Sequence, residues 1–565
     1  IYALSDKTIT YDQFQDIVFG RYFIVSFKNG EMFIFPDKFC CLELYYLKSE
    51  NKFLISTSLE VFSAYISSNY SQSSLANLLS VYGNYAPKGF TIYSDVNGLK
   101  VRQTLVYQNG KLSIDESDFK PEDSENYDSD KLDEYAEIFI DSVSKRSSDD
   151  NWVYMSSGWD SSSVLTALHE LKGSSSINAI IARFKYSEKS GINNQFEVDR
   201  AKQITDYFNV KLHIVDVDYT LPEYLDYWQK FIPIFRDNHL YAMFAYNFFR
   251  LADYISKRST SDTVVFNGET SDGSHNLGFS QFASILEHQD LDFREYSDKM
   301  NSYLYSPSFF RLISNGQELN DPIYNIFKQR RLPDHDYDIS GEINWKNDYL
   351  SSLFFSSERI PFAPILNSPI VKEKAKDEFK ELLGNHYFCS TDEKLSPENF
   401  YSWVLDLYNS FHWHGGSVRG MLYSSEKNSL KTASPFWDSR MQVFLSKMPE
   451  NWGRGLDFNR TKYPLKWTLK NKLDYPSHLQ VGPHSYLYDI NPNWSADHDI
   501  LFGCSQNHDY FCKRMNESSL CEILSSDYFD IDYLQKCINQ YKNKENDTPI
   551  SLLKNVVSLG IVGWY

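Results

Sequence analysis

The chain has 565 residues, which is enough for two or more domains with a sizeable core. Its formal net charge of −19 argues against a nucleic-acid-binding surface, because no basic stripe offsets the acidity. No apolar run approaches the roughly 18 residues needed to span a bilayer, and no signal-peptide pattern opens the chain. Seven scattered cysteines do not suggest a disulfide framework, so we expect reduced thiols and a cytoplasmic protein.

The N-terminal part alternates short β patterns with turns. Residues 22–27 and 32–35 flank Asn29-Gly30, which is a strong signal for a tight hairpin turn. Residues 105–107 followed by Asn109-Gly110 indicate a second hairpin. These patterns predict a mostly β module that ends near residue 114.

An acidic, polar run from residue 115 to residue 134 follows this module. Such a run cannot bury much apolar area, so we interpret it as a linker between domains. Helical spacing from residue 135 to residue 143 then leads into the next domain.

The centre of the chain combines a buried strand, a turn of small residues and an amphipathic helix. Residues 153–155 predict the strand, and apolar residues from Val164 onward predict the helix. The turn between them offers free main-chain N–H groups, hydroxyl groups and the positive end of a helix dipole, which together favour an anion. Gly158 lets a phosphate approach closely, and Asp160 can hold magnesium. The candidate phosphate-binding residues are Ser156, Ser157, Gly158, Asp160, Ser161 and Ser162.

The pattern after this turn alternates strand and helix. Residues 177–184 and 212–217 have strand patterns, and residues 197–208 between them have helical spacing. This alternation predicts a parallel sheet with helices on its faces.

A second apolar strand, residues 263–266, also runs into a loop of small and acidic residues. Loops at the carboxyl ends of parallel strands share one crevice, so Asp160 and Asp272 are expected to face each other across a magnesium-bound pyrophosphate. The candidate residues of this loop are Asn267, Gly268, Glu269 and Asp272.

Both loops resemble those of the glutamine-hydrolysing asparagine synthetase family. The first resembles Ser-Gly-Gly-x-Asp-Ser-Ser, with Ser157 in place of the first glycine. The second resembles Ser-Gly-Glu-Gly-Ser/Ala-Asp-Glu, with Thr270 in place of a glycine and Gly273 in place of the last Glu. Residues 432–440 resemble the Arg-x-Pro-Phe-Leu-Asp segment of the family, and residues 461–466 stand where it has Lys-x-x-Leu-Arg.

The resemblance implies an α/β fold in several parts. Residues 1–114 would form a partial, Ntn-hydrolase-like glutamine amidotransferase module, and residues 115–134 the linker. Residues 135–490 would form a parallel-sheet ATP-pyrophosphatase domain of the adenine nucleotide alpha hydrolase type. Residues 491–565 would form a helical C-terminal extension.

The resemblance also implies chemistry. Family members use ATP and Mg²⁺ to adenylate a carboxylate, and ammonia, free or from glutamine, then displaces AMP. The strand after the first loop contacts adenine in the family, which places Ala182, Arg183 and Phe184 near the base. The family's N-terminal cysteine nucleophile is not in this sequence, which starts with Ile1, and Cys40 and Cys41 are expected to be structural. Glutaminase activity is therefore not assigned.

The sequence departs from the asparagine-forming enzymes where their reactive lysine is expected. Residues 474–486 carry no lysine, so Lys462, Lys466 and His484 are the candidates for the group that contacts the reacting phosphate. Features of an aspartate site are also missing. Arg419 and Trp437 are the candidate substrate-binding residues, since they suit a carboxylate and a substrate larger than aspartate.

These departures favour the relatives associated with bacterial surface polysaccharides, which convert a sugar uronic acid to its uronamide. The alternatives are a ligase for aspartate, a ligase that closes an intramolecular amide, and a non-catalytic relative. The sequence does not determine the oligomeric state.

Overall fold

The computed structural model describes most of the chain between residues 20 and 556. The described residues are 20–28, 30–49, 52–66, 69–81, 86–185, 191–238, 245–278, 299–334, 337, 344–413, 416–480, 505–517, 520–545, 549, 552–553 and 555–556. The candidate His484 lies outside the described residues, as do residues 491–504 of the predicted C-terminal extension.

Two antiparallel sheets form the N-terminal module. The strands are β1 (Phe23–Lys28), β2 (Glu31–Pro36), β3 (Tyr45–Ser49), β4 (Lys52–Ser56), β5 (Val96–Gly98), β6 (Gln103–Gln108) and β7 (Lys111–Glu116), with the helix Gln72–Ser80 and the 3-10 helix Leu59–Ala64 beside them. The first sheet has the order β1-β2-β6-β7 and the second the order β4-β3-β5. The predicted hairpins are the pairs β1–β2 and β6–β7.

A small apolar core joins the two sheets, and Cys40 is fully buried in it. Burial raises the pKa of the Cys40 thiol to about 12, so this thiol is not a nucleophile at neutral pH. The expectation that Cys40 is structural agrees with this position.

The stretch predicted as a linker contains the start of a helix. Residues 117–128 carry neither helix nor strand, but the helix Ser129–Ser144 begins six residues before the predicted position. The side chain of Asp128 accepts hydrogen bonds from the main-chain N–H groups of Asp130 and Lys131, which fixes this earlier start. The domain limits themselves stay a prediction.

The central sheet is parallel, as predicted, and has five strands in the described chain, one of which (residues 431–433) the sequence did not indicate. They are β8 (Asp150–Tyr154), β9 (Ile177–Lys185), β10 (Lys211–Asp218), β11 (Thr263–Phe266) and β12 (Lys431–Ala433). Their order is β10-β9-β8-β11-β12, and every neighbouring pair is parallel. After β8 the chain adds β9 and then β10 on one side of β8, and it later adds β11 and then β12 on the other side. The carboxyl ends of β8 and β11 therefore flank the topological switch point, where open α/β sheets bind ligands.

Helices cover the sheet and predominate in the described chain after it, which makes the fold a mixed α/β structure with a helical C-terminal part. Among the described residues, no helix combines the length and the apolarity that a membrane crossing needs. The main α-helices after β8 are Trp159–Lys172, Gln195–Tyr207, Glu223–Asn238, Ala245–Ser256, Ser271–Asn276, Pro307–Ser314, Pro322–Arg331, Trp345–Phe355, Glu373–Leu383, Thr391–Lys394, Phe400–Leu407, Gly416–Lys427, Ser439–Lys447, Tyr463–Asn471, Ser505–Glu517, Leu520–Ile523 and Ile531–Lys542.

The N-terminal module packs directly on the helical layer. Arg102 forms an ion pair with Asp406, and the main-chain N–H of Lys88 donates to the carbonyl of Ser410 at 3.0 Å. The helix Phe400–Leu407 and the π-helical turn Tyr408–His412 thus carry this contact.

Candidate functional site

The first loop links β8 to the helix Trp159–Lys172. Gly158 is the N-cap of this helix and has extended backbone angles, so the first-turn N–H groups point into the loop. Hydroxyl groups tie the loop together. Ser161 Oγ accepts from Ser156 N at 3.1 Å, and Ser162 Oγ donates to the carbonyl of Gly158 at 2.6 Å.

Ser157 occupies the loop position where the resembling family has glycine. Its φ angle is +59°, a left-handed conformation that glycine adopts without strain. Two side chains hold it there. Arg200 Nε donates to Ser157 Oγ at 3.1 Å, and Gln480 Nε2 donates to the carbonyl of Ser157 at 2.9 Å. Ser157 therefore has a backbone conformation that glycine would adopt without strain.

The second loop links β11 to the short helix Ser271–Asn276. Asn267 Nδ2 donates to the carbonyl of Ala433 at 2.9 Å, which ties the loop to the end of β12. Asn267 Oδ1 accepts from Glu269 N at 3.1 Å. Thr270, the second residue in place of a family glycine, also has a left-handed conformation, with φ +70°.

The two loops touch each other. Val153 of β8 lies opposite Phe266 of β11 in the sheet register, so both loops leave the same edge side by side. A Cβ added to Gly268 would lie 2.8 Å from Asp160 Cβ and 2.8 Å from Ser161 N. Only glycine fits at position 268, because real Cβ atoms do not approach other atoms this closely.

Lys462 bridges the acidic residues of the two loops. Its Nζ lies 2.5 Å from Asp160 Oδ2 and also forms an ion pair with Asp272. Ser271 Oγ donates to Asp160 Oδ1 at 2.7 Å. The lysine side chain is 9 % exposed, and the two carboxylates are 18 % and 21 % exposed. Three residues far apart in sequence thus form one ionic cluster at the switch point.

Burial and charge oppose each other in this cluster. Burial lowers the pKa of Lys462, but the two carboxylates outweigh it and leave the lysine pKa above its ordinary value. Burial raises the pKa of Asp160, and nearby Asp272 raises it further, while Lys462 lowers it. Lys462 is therefore a cation at neutral pH, and it offsets only one of the two carboxylate charges.

A buried polar network supports the second loop from behind. His275 Nδ1 contacts the carbonyl of Ser271 at 2.8 Å, and His275 Nε2 contacts the hydroxyl of Tyr135 at 2.8 Å. Burial lowers the pKa of His275 to about 3, so the imidazole is neutral. The fully buried Arg454 donates to the carbonyls of Ser274 and His275 at 2.7 and 3.0 Å. The contacts of Arg454 satisfy carbonyls near the end of the helix Ser271–Asn276, in which Asp272 lies.

The other phosphate-contact candidate, Lys466, has described contacts with Trp159 and Thr461. Its Nζ lies 5.0 Å from the ring centre of Trp159, the first residue of the helix after the first loop, and 3.4 Å from Thr461 Oγ1. Lys466 is therefore near the mouth of the first loop, whereas Lys462 lies between the two acidic residues.

The adenine candidates lie at the carboxyl end of β9. Arg183 forms a bidentate pair with Asp216 of β10, with its nitrogens 2.6 and 3.0 Å from the carboxylate oxygens. The carbonyl of Ala182 and the main-chain N–H of Phe184 are both hydrogen-bonded to the side chain of Asn194.

The two substrate candidates lie in different surroundings. Trp437 Nε1 donates to Asn409 Oδ1 at 2.8 Å, and its ring meets the edge of Trp413, which packs against Gly273 of the helix that follows the second loop. Arg419 is buried and donates to the hydroxyl of Tyr45 in the N-terminal module at 2.8 Å. The structure thus connects Trp437 to the second loop through Trp413, and Arg419 to the N-terminal module. Both substrate roles stay predictions.

Sequence reasoning missed three residues that shape the first loop, namely Arg200, Tyr475 and Gln480. Gln480 donates to the hydroxyl of Tyr475 at 2.6 Å, and that hydroxyl contacts Ser162 Oγ at 2.8 Å. No motif marks them, because they reach the loop from a distant helix and a distant turn. The one available signal is the serine at position 157, because a serine in a left-handed conformation has to be held there by hydrogen bonds from other residues.

The donor set fits a magnesium ion. Asp160 and Asp272 both reach the same ammonium group, so they lie close enough to share a cation, and carboxylate oxygens are the ligands that Mg²⁺ prefers. In the described part of the chain, no group of three or more His, Cys, Asp or Glu residues could hold a metal ion. Two carboxylates suit Mg²⁺ nonetheless, because this ion usually keeps waters and phosphate oxygens as its other ligands.

Taken together, two glycine- and serine-containing loops that meet at the switch point of a parallel sheet define a nucleotide-binding α/β protein. The family model for asparagine synthase matches residues 134–479, which is more than half of the chain. The chain therefore belongs to the asparagine synthase family and is an ATP-dependent amide ligase or amidotransferase that acts on a carboxylate, with glutamine or ammonia as the nitrogen source. No curated protein matches the chain.

Proposed function

We propose that the chain splits ATP between its α- and β-phosphates to form an acyl-adenylate on a substrate carboxylate, which ammonia or an amine then converts to an amide. The observation that carries this proposal is the contact of Lys462 with Asp160 and Asp272 between two touching loops. These groups combine a phosphate-binding turn with one cation and two metal-binding carboxylates, which suits the departure of pyrophosphate.

The first loop would hold the pyrophosphate through first-turn N–H groups and the hydroxyls of its serines. Asp160 and Asp272 would hold Mg²⁺, which would neutralise charge on the phosphates. With both carboxylates engaged by a metal, Lys462 would turn its ammonium group towards the phosphate charge. In the cluster without ligand, the two carboxylates raise the pKa of Lys462, so its ammonium group carries the proton before ATP binds.

The conformations of the substituted glycines favour an enzyme over a non-catalytic relative. Ser157 and Thr270 keep the left-handed backbone that glycine would adopt at these positions. A loop that had lost its function would be free to relax this strain, since strained residues persist where the surrounding structure holds them.

We propose a nucleotide-linked sugar uronic acid as the substrate. The support is the missing aspartate-site features together with Trp413 and Trp437, whose rings meet 5.9 Å apart beside the second loop. Both rings are buried, so this support is their position beside the loop and not an exposed stacking surface. Aspartate and an intramolecular amine acceptor are the competing substrates.

Product analysis tests this proposal. The full chain is incubated with ATP, Mg²⁺, ammonium and one of three carboxylates: a UDP-linked uronic acid, aspartate, or an acid that also carries an amine. We expect AMP and pyrophosphate to form with the uronic acid and with neither of the other two carboxylates. ADP as the product would refute the adenylate route, and pyrophosphate release with aspartate would identify an asparagine synthetase instead.

Lysine variants test the role of Lys462 within the same assay. Lys462→Met is expected to lower pyrophosphate release by about 100-fold or more, the usual effect of removing a group that stabilises transition-state charge. Lys466→Met is expected to lower it by less than about 10-fold. Lys470→Met is the matched control, since Lys470 is exposed on the same helix. A larger loss for Lys466→Met than for Lys462→Met would transfer the role to Lys466.

A further inference from the structure

The edge of β9 extends beyond its neighbour β8. The last register pair of these strands joins Tyr154 to Ile180, and Met155 N then donates to the carbonyl of Ile180 at 2.8 Å. The chain of β8 turns away into the first loop after this point. Main-chain groups of alternate residues point to the same side of a strand, so Ala182 and Phe184 present theirs towards the space that β8 has left.

The side chain of Asn194 fills this space. Its Nδ2 donates to the carbonyl of Ala182 at 2.9 Å, and its Oδ1 accepts from the main-chain N–H of Phe184 at 2.9 Å. The orientation of the amide is fixed, because a carbonyl only accepts and a main-chain N–H only donates. Asn194 is 1 % exposed.

The pair of main-chain groups that Asn194 occupies matches the Watson–Crick edge of adenine. Adenine carries an amino donor beside a ring-nitrogen acceptor, the same donor and acceptor order as a carboxamide. Guanine carries a carbonyl oxygen where adenine has its amino group, so it would place an acceptor against the carbonyl of Ala182. The carbonyl of Ala182 and the N–H of Phe184 are thus complementary to adenine and not to guanine.

The element that carries Asn194 also contacts the phosphate loop. Asn194 directly precedes the helix Gln195–Tyr207, and Arg200 of this helix donates to Ser157 in the loop. The base site and the phosphate site therefore share one supporting helix.

We propose that the carboxamide of Asn194 is an intramolecular stand-in for adenine, which must leave Ala182 and Phe184 before ATP binds. This inference rests on the proposed use of ATP and adds a residue that lowers nucleotide affinity. When ATP binds, the base replaces Asn194 as the partner of Ala182 and Phe184. A nucleotide whose base cannot form both hydrogen bonds does not displace Asn194 and therefore binds poorly.

Nucleotide binding by the full chain tests the inference. Dissociation constants for ATP and GTP are measured by calorimetry in the presence of Mg²⁺ for the wild-type chain and for Asn194→Ala. We expect ATP to bind about 5- to 150-fold more tightly to the variant, the range that corresponds to two net hydrogen bonds, while GTP affinity does not increase. The unliganded variant is expected to be less stable and to gain more from ATP in a thermal shift.

Asn193→Ala is the matched control. Asn193 is also buried, and its described contact with β9 uses its main-chain N–H, which donates to the carbonyl of Phe184 and survives the substitution. Asn194→Ser provides a second variant should the alanine variant fail to fold. ATP binding that is unchanged or weakened in folded Asn194 variants, beside a wild type that binds ATP, would overturn this inference alone. A wild type and variants that all fail to bind ATP would overturn the proposed function as well.

Discussion

Restoring glycine in the two loops should have opposite effects on stability. Thr270→Gly is expected to stabilise the fold, and Ser157→Gly is expected to destabilise it. Both residues have left-handed backbone conformations, with φ angles of +70° and +59°. The difference lies in what their side chains contact.

Thr270 gains little from its side chain. A left-handed conformation costs a residue with a Cβ about 1–2 kcal/mol, and β-branching makes it less favourable still. Within the described structure its buried Oγ1 has no hydrogen-bond partner, a defect that costs about 1–3 kcal/mol. Against this, glycine adds about 0.5–1 kcal/mol of unfolded-state entropy and loses roughly 1 kcal/mol of methyl burial. The balance favours Thr270→Gly by about 1 kcal/mol.

Ser157 is held by a charged partner. Its Oγ accepts from Arg200 Nε, and Arg200 is 5 % exposed. Ser157→Gly would lose a hydrogen bond to a charged group, which contributes about 1.5–3 kcal/mol, and would also raise the entropy of the unfolded chain. The relief of backbone strain, about 1–2 kcal/mol, is smaller than these two losses together. Ser157→Gly is therefore expected to lose about 1 kcal/mol.

Urea unfolding followed by tryptophan fluorescence measures both effects, since Trp152 and Trp159 flank the first loop. The double variant should show additive changes, because the described hydrogen bonds of Ser157 and Thr270 share no partner. Shifts of the two single variants in the same direction would refute this account of the loops.

Three further predictions concern the surroundings of the site. The pKa of His275 is about 3 in the folded chain, against an ordinary value of 6.5. The contribution of His275 to stability should therefore be full above pH 6.5, and the free energy of unfolding should fall by about 1.4 kcal/mol per pH unit between pH 6.5 and 3. His275→Gln should remove this one-proton dependence from unfolding measured across that pH range. Asp160→Asn should abolish pyrophosphate release yet stabilise the fold at neutral pH. The pKa of Asp160 is raised in the fold, so its ionisation lowers the free energy of unfolding as the pH rises above 3.8. The stabilisation by Asp160→Asn should therefore vanish below pH 3.8. Asp128→Ala should cost about 1 kcal/mol in urea unfolding by removing the N-cap of the helix Ser129–Ser144, whereas Asp130→Ala, in its first turn, should cost less.

Much of the site follows from local sequence and one topological rule. Each loop is recognisable by itself as a strand that runs into small and acidic residues. The rule that parallel strands end at a shared edge then predicts that Asp160 and Asp272 approach each other, and both contact Lys462 in the structure. The close contact at Gly268 follows from the same geometry, because β8 and β11 are neighbours in the sheet.

Residues that reach the loops from elsewhere could not be predicted in this way. Arg200 and Gln480 contact Ser157 from positions 43 and 323 residues away. Nothing in their own sequence distinguishes them from surface residues of a helix and a turn. Asn194 was missed for a related reason, since a carboxamide that pairs with a strand edge depends on where the neighbouring strand ends.

The site concentrates features that oppose folding. Two strained residues, two neighbouring carboxylates and a buried lysine lie where the loops meet, while His275 and Arg454 behind them are fully buried. A fold selected for stability alone would replace several of these groups, because buried ion pairs are often no better than apolar residues of similar size. Retaining all of them costs stability that the large apolar core has to offset. A ligand with several negative charges, as ATP has, would account for this arrangement, because its binding to the folded chain would offset the strain.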